Sequence, residues 1–151
     1  MGFTFDLSQV DHLLSTTRAV RKRLDLTRPV PRDLILDCIR LATQAPAGQN
    51  IQKWRWIVVD DPKVKAGLAE LYRKAYQPYI DYQKKVVEKV GRSDASGIME
   101  SSDYLAQVLE QVPALVIPCG LDRVSTDAIP ANFAGYYGSL LPAVWSFMLA
   151  C

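Results

Sequence analysis

Residues 133–151, FAGYYGSLLPAVWSFMLAC, carry no charged side chain across nineteen positions. A helix of that length with no polar face must be surrounded by lipid, by a folded core or by a second subunit. Gly135, Gly138, Ser139, Pro142 and Ser146 interrupt the run, and no Lys or Arg flanks it. The stretch therefore reads as a buried helix of a core or subunit interface. It ends in Ser-Phe-Met-Leu-Ala-Cys, with no Gly, cationic last turn or polar tail to stop it. The chain reads as cut inside this helix.

The elements before it follow from local signals. Ser8 is a candidate N-cap for a short helix through Leu13 and Leu14. Pro31 can open a second helix without losing a hydrogen bond. Leu34, Ile35, Cys38, Leu41 and Ala42 then share one face at helical spacing, and Ala45-Pro46 ends the segment. Residues 55–60 read as a strand. Asp61-Pro62 closes it and launches a long helix that buries Leu68, Leu71, Tyr72, Ala75 and Tyr76. Pro78 is expected to kink or break that helix, with 79–90 continuing helically. GRSDASG at 91–97 has the composition of a mobile loop. Ser101 or Ser102 would cap a further helix carrying Tyr104, Leu105, Val108 and Leu109, ended at Val112-Pro113. The apolar run 114–119, ALVIPC, has the length of a strand buried on both faces. Residues 122–130 form a polar loop. With no repeat, low-complexity tract or linker, 1–151 reads as a single domain. Two strands rarely make a stable sheet alone, so the C-terminal part of that domain is expected to be missing.

Two segments carry the candidate chemistry. Residues 44–59, QAPAGQNIQKWRWIVV, contain a Pro, a Gly and the carboxamides of Gln49, Asn50 and Gln52 before two tryptophans. A loop of this kind can bring backbone N–H groups close to a ligand. Carboxamides both donate and accept, so Asn50 and Gln52 could read a planar ring whose edge alternates C=O and N–H. Residues 17–31, TRAVRKRLDLTRPVP, place Arg18, Arg21, Lys22 and Arg23 within six positions. On its own such a run is a solvated basic turn or a weak nucleic-acid patch. Net charge is only +2, so no global field favours nucleic acid or an anionic membrane.

Together the two segments resemble the nitroreductase family of flavin enzymes. Its members open with a basic pattern R-R-S-x-R-x-F, often followed by D-x-x-x-P-V. A helix then leads to A-P-S-x-x-N-x-Q-P-W and a strand. This chain has Arg18, Lys22 and Leu24 at the basic positions, then Asp25 and Pro29-Val30. Ala45-Pro46-Ala47, Asn50, Gln52 and Trp54 follow with the same order and gap. GYYGSLLPAVWSFMLAC resembles the family's central helix. Three positions depart from the pattern. Val20 replaces the Ser of the basic motif, or Ala19 does if RAVR is aligned. Lys53 stands for the Pro before the Trp, and Trp145 for a Gln late in the central helix.

The resemblance implies an α+β fold, with helices packed around a central mixed sheet, a long buried central helix, and a sheet incomplete in this chain. It implies a homodimer with FMN at the interface and the phosphate held by Arg18 with Lys22 or Arg21. Pro46, Ala47, Gly48 and Asn50 would line the flavin ring, residues 46–48 reaching the partner subunit's cofactor. Gln52 would support the loop, and Ser139 would line the interface. The implied activity is electron transfer from NAD(P)H to a nitroaromatic, a quinone or a similar electrophile. Relatives of the same fold performing dehydrogenation, dehalogenation or flavin breakdown are the alternatives, as is a binder of flavin or a phosphorylated ligand without turnover. Such chemistry needs no acid–base pair or metal, because the flavin supplies it. No GxGxxG fingerprint occurs. Cys38, Cys119 and Cys151 lack metal-ligand spacing, and Cys38 and Cys119 read as buried small hydrophobes. The lone His12 reads as structural. MGFTFDLSQVD has no cationic n-region, so a cytoplasmic location is expected.

Overall fold

The computed structural model describes residues 6–92 and 95–151. The elements in order are α1 (Leu7–Thr16), α2 (Arg32–Ala42), β1 (Trp54–Val59), α3 (Pro62–Val90), α4 (Ala95–Val108), β2 (Leu115–Gly120) and α5 (Pro130–Ala150). The two strands pair, and Leu121 N–H donates to the Lys53 carbonyl at 3.0 Å beside them. That register makes the pair antiparallel.

Helix starts and stops obey local chemistry. The Asp6 carboxylate caps α1 by accepting from the N–H groups of Ser8 and Gln9 at 3.0 and 3.4 Å. Ser8, the expected cap, is the second helical residue, and its hydroxyl donates to the same carboxylate. A carboxylate is the stronger acceptor at a helix N-terminus, where the dipole favours negative charge. Asp61 caps α3 by accepting from Lys63 and Val64 at 2.9 Å each, with Pro62 in the first turn. Gly91 ends α3 at φ 69°, the left-handed conformation that glycine takes without a Cβ clash.

Contacts divide the chain into two compact units: Met1–Ala19, Pro31–Trp56 and Pro118–Cys151 in one, Val20–Val30 and Ile57–Ile117 in the other. Each unit holds half of both strands. In the first unit α2 packs on α5. The α2 face is Ile35, Cys38 and Ala42, while the expected Leu34 and Leu41 are 55% and 57% exposed. At 100° per residue those leucines lie off the line through the other three. Along α5, Ala143 is fully buried, whereas Tyr137, Leu141, Trp145 and Met148 are each about half exposed. No helix among the described residues is long and apolar enough to cross a membrane.

In the second unit α3 runs unbroken for 29 residues through Pro78. The proline costs one backbone hydrogen bond, and its ring lies on an exposed position while Ile80 beyond it is buried. The buried seam is also not the expected one. Lys65, Ala69 and Ile80 are buried, Leu68 and Tyr76 half-buried, and Leu71, Tyr72 and Ala75 exposed. The Lys65 ammonium makes this face possible by donating to the carbonyls of Val112 (2.6 Å) and Pro113 (3.4 Å). A pattern count that treats Lys as exposed misplaces the seam. α4 begins at Ala95, so Ser101 and Ser102 lie inside it, their hydroxyls donating to the Ile98 carbonyl at 2.8 and 2.9 Å. Of the expected loop at 91–97, residues 93–94 lie outside the described residues and 95–97 are helical. β2 is half-buried along its whole length rather than enclosed on both faces, since its sheet has a single neighbouring strand.

Lys65→Met should lower stability by about 1–3 kcal/mol, the cost of leaving the buried Val112 carbonyl without a donor. Urea unfolding measures it. A second expectation concerns Tyr76, whose hydroxyl donates to the Asp103 carboxylate at 2.8 Å. Burial, then that hydrogen bond and the Asp103 charge, raise the phenol above its ordinary value of 10.0. A folded-state value above the unfolded one favours the neutral form in the fold. The stabilisation is therefore complete below pH 10 and is lost as pH climbs beyond it. Tyr76→Phe should flatten the loss of urea midpoint above pH 10.

Candidate functional site

The first unit contains a cavity of about 460 Å³ between the loop after α2 and the start of α5. The loop is shaped by its own backbone. Asn50 N–H donates to the Ala47 carbonyl at 2.9 Å and Ile51 N–H to that of Gly48 at 3.0 Å. Gln49 and Asn50 both take φ 57°, a left-handed turn that Asn tolerates better than most side chains. The Gln52 carboxamide donates to the Thr43 carbonyl at 2.7 Å and closes the base of the loop.

α5 forms the facing wall. Gly48 N–H donates to the Ser139 hydroxyl at 3.1 Å, which ties the loop to the helix. Asn132, Tyr136 and Ser139 recur at helical spacing and present a carboxamide and two hydroxyls to the cavity. Ile51, Trp54 and Leu140 supply apolar surface, while Gln49 adds another carboxamide. At the rim, the Lys53 ammonium pairs with Asp122 at 2.7 Å. Gly120 ends β2 beside Tyr136 so closely that a Cβ there would overlap the phenol.

Behind the loop, Trp54 is buried with Ala45 and Ala143, and Ala47, Trp56 and Leu140 pack around them. The Trp56 ring lies 5.5 Å from that of Phe147, and its buried indole N–H has no partner among the described residues.

Of the residues singled out by sequence, Gly48 and Ser139 line the cavity and touch each other. Pro46, Ala47, Asn50 and Gln52 shape the same loop without lining it. Arg18 lies just beyond α1, where its Nη1 donates to the carbonyls of Ser15 (3.0 Å) and Thr17 (2.7 Å). Arg21 and Lys22 belong to the second unit. There Arg21 donates to the Ser101 hydroxyl at 3.5 Å, and Lys22 pairs with Glu100 at 2.5 Å. His12 is exposed on α1. Sequence reasoning missed Gln49, Lys53, Asn132, Tyr136 and Gly120 as lining residues. The spacing of 132, 136 and 139 could have marked the first two helical members, but nothing local marks Gly120.

The family model for nitroreductases matches residues 14–151, nearly the whole chain. The chain belongs to the nitroreductase family. This nitroreductase-family chain is similar to iodotyrosine deiodinase 1 of Rattus norvegicus, 26% identical over 106 residues covering 70% of the chain. It spans 34% of that relative's length. Among solved structures, one similar fold is iodotyrosine deiodinase bound to FMN and 3-iodo-L-tyrosine, at TM-score 0.62 and 18% identity. That match covers 91% of the chain and 66% of the other. Another is the FMN-dependent nitroreductase NfnB from Mycobacterium smegmatis in complex with NADPH, at TM-score 0.61 and 19% identity. It covers 96% of the chain and 71% of that structure. At these identities the structural likeness establishes the nitroreductase fold.

Gly120→Ala in this nitroreductase-family protein should force Tyr136 out of its place in the cavity wall. Overpacking of this kind costs about 1–3 kcal/mol. Combining it with Tyr136→Ala should restore part of the loss, a coupling that urea unfolding of the double-mutant cycle reads directly.

Proposed function

We propose that the protein is an FMN-dependent oxidoreductase that passes electrons from NAD(P)H to a small electrophile such as a nitroaromatic or a quinone. The observation that carries this reading is the cavity itself. Its apolar walls (Ile51, Trp54, Leu140) and its carboxamides and hydroxyls (Gln49, Asn132, Tyr136) suit a flat heteroaromatic ring with a hydrogen-bonding edge. Its volume lies within the range of ordinary ligand sites, about 300–1,000 Å³. The residues therefore fit a flavin.

Each residue then has a task. Gln49, Asn132 and Tyr136 orient the ring edge, and Trp54 with Leu140 excludes water from its face. The Ser139 hydroxyl holds Gly48, so this pair positions the loop. Asn50, next in the turn, is the family's ring-lining position. Arg18 is the candidate for the phosphate, with Lys22 or Arg21 as its second cation. Both of Arg18's present bonds use Nη1, and its other N–H groups form the planar fork that binds a phosphate. Bound FMN would supply the redox chemistry, accepting a hydride from the nicotinamide and returning electrons to the oxidant. The half-exposed Tyr137, Leu141, Trp145 and Met148 on α5 support a homodimer, since apolar surface of this kind favours a subunit interface. A reductive dehalogenation is the second reading, favoured by the similarity to iodotyrosine deiodinase 1.

The test is visible flavin absorbance of the purified full-length protein, followed by FMN titration of variants. Arg18→Ala should weaken FMN binding by about 1.5–3 kcal/mol, roughly ten- to a hundredfold. Lys22→Ala should cost less, because its ammonium already spends part of its charge on Glu100. A parent protein that takes up no flavin, or an Arg18→Ala variant that retains it unchanged, would overturn the reading.

A further inference from the structure

Apolar and neutral polar groups wall the cavity of the first unit, with one exception. Among its described lining residues, Lys53 is the one that carries a charge. It stands where the family pattern has an uncharged proline. The Lys53 backbone is held on both sides. Its N–H donates to the Ile51 carbonyl at 3.1 Å, and its carbonyl accepts from Leu121 N–H at 3.0 Å. The second of these bonds also brings Asp122 alongside, where its carboxylate meets the Lys53 ammonium at 2.7 Å. Asp122 itself lies outside the cavity lining. Both side chains of the pair are largely in water, 60% and 63% exposed.

We infer that Lys53 selects an electron acceptor bearing a carboxylate, which takes the place of Asp122 on the ammonium. This rests on the reading of the cavity as the site of an oxidoreductase. An exposed ion pair is weak, because water solvates both charges and screens them from each other. Asp122 can therefore be released to solvent at little cost. A carboxylate carried by a ring in the cavity meets the same ammonium beside the apolar surfaces of Ile51 and Trp54. Fewer waters compete there, so the attraction is stronger than between the exposed partners. The anchored backbone keeps the ammonium at the rim, and its flexible four-carbon stem lets it turn inward without moving the loop. Three N–H donors sit on that ammonium, and Asp122 accepts from it through a single oxygen. The two members of the pair then act in opposite directions. Lys53 attracts an anionic acceptor, whereas Asp122 competes for the ammonium and repels the newcomer. A pair that merely joined the loop to the end of β2 would act differently. Losing either member would then affect neutral and anionic ligands alike.

The experiment uses the full-length protein and two probes of one shape, 4-nitrobenzoate and its neutral counterpart 4-nitrobenzamide. Isothermal titration calorimetry gives their dissociation constants, and NAD(P)H consumption gives their kcat/KM. The parent should favour the carboxylate about tenfold in both, the lower end for a hydrogen bond to a charged group. Lys53→Met should abolish that preference, and Asp122→Asn should enlarge it. Added salt should shrink it in the parent. The preference for FMN over riboflavin should be unchanged in Lys53→Met, since Arg18 is the candidate for the phosphate. A fall in that ratio would show Lys53 holding the cofactor's phosphate instead, and would overturn the inference. Equal binding of the two probes by the parent, or binding of neither, would do the same. So would a carboxylate preference that survives Lys53→Met or diminishes in Asp122→Asn. Any of these results in a flavin-loaded parent defeats the inference alone. A parent that takes up no flavin defeats the oxidoreductase reading, and the inference with it.

Discussion

The burial of Trp54 against Ala45 and Ala143 is the contact on which the first unit depends. One indole, at the first position of β1, meets the loop leaving α2 and the middle of α5. The two alanines are small enough to let backbone and helix approach the ring, and Ala143 is fully enclosed by it and its neighbours. A buried tryptophan removes some 150–250 Å² from water, more than any other side chain here could offer at that point. Without it the loop would have no fixed distance from α5, and the Gly48–Ser139 hydrogen bond would have nothing to hold it.

That arrangement explains how a loop of polar residues becomes a cavity wall. Gln52 closes the loop on Thr43, the left-handed turn at Gln49 and Asn50 folds it inward, and Trp54 clamps its far end. The carboxamides and hydroxyls that face the cavity are thereby carried on a loop and a helix tied together by the Gly48–Ser139 hydrogen bond. Groups held in place before a ligand arrives lower the ordering cost of binding it.

The second unit is organised by polar contacts on α3 and α4. Lys65 reaches the backbone carbonyls of Val112 and Pro113, while Tyr76 and Lys84 converge on Asp103. Arg21 and Lys22 are secured to the same helix through Ser101 and Glu100. The basic segment is thus a docked turn whose charges are partly matched, rather than a free cationic arm.

What could be read from the sequence was whatever depends on neighbours within about one helical turn. Asp61-Pro62 announces the start of α3 because the cap, the proline and the free N–H groups lie within four residues of one another. The order of the basic segment and the loop, with Asn50 and Gln52 in the latter, was legible through the family pattern they share. The face that α3 buries was not, because Lys65 becomes a core residue only when the carbonyls of Val112 and Pro113 arrive from 47 and 48 positions away. Gly120 and Tyr136 are likewise ordinary in sequence, and only the approach of β2 to α5 makes a side chain at 120 clash with the Tyr136 phenol. Capping and periodicity are local free energies written into adjacent residues. Burial and cavity shape are set by which distant surfaces meet, and that is decided when the chain packs.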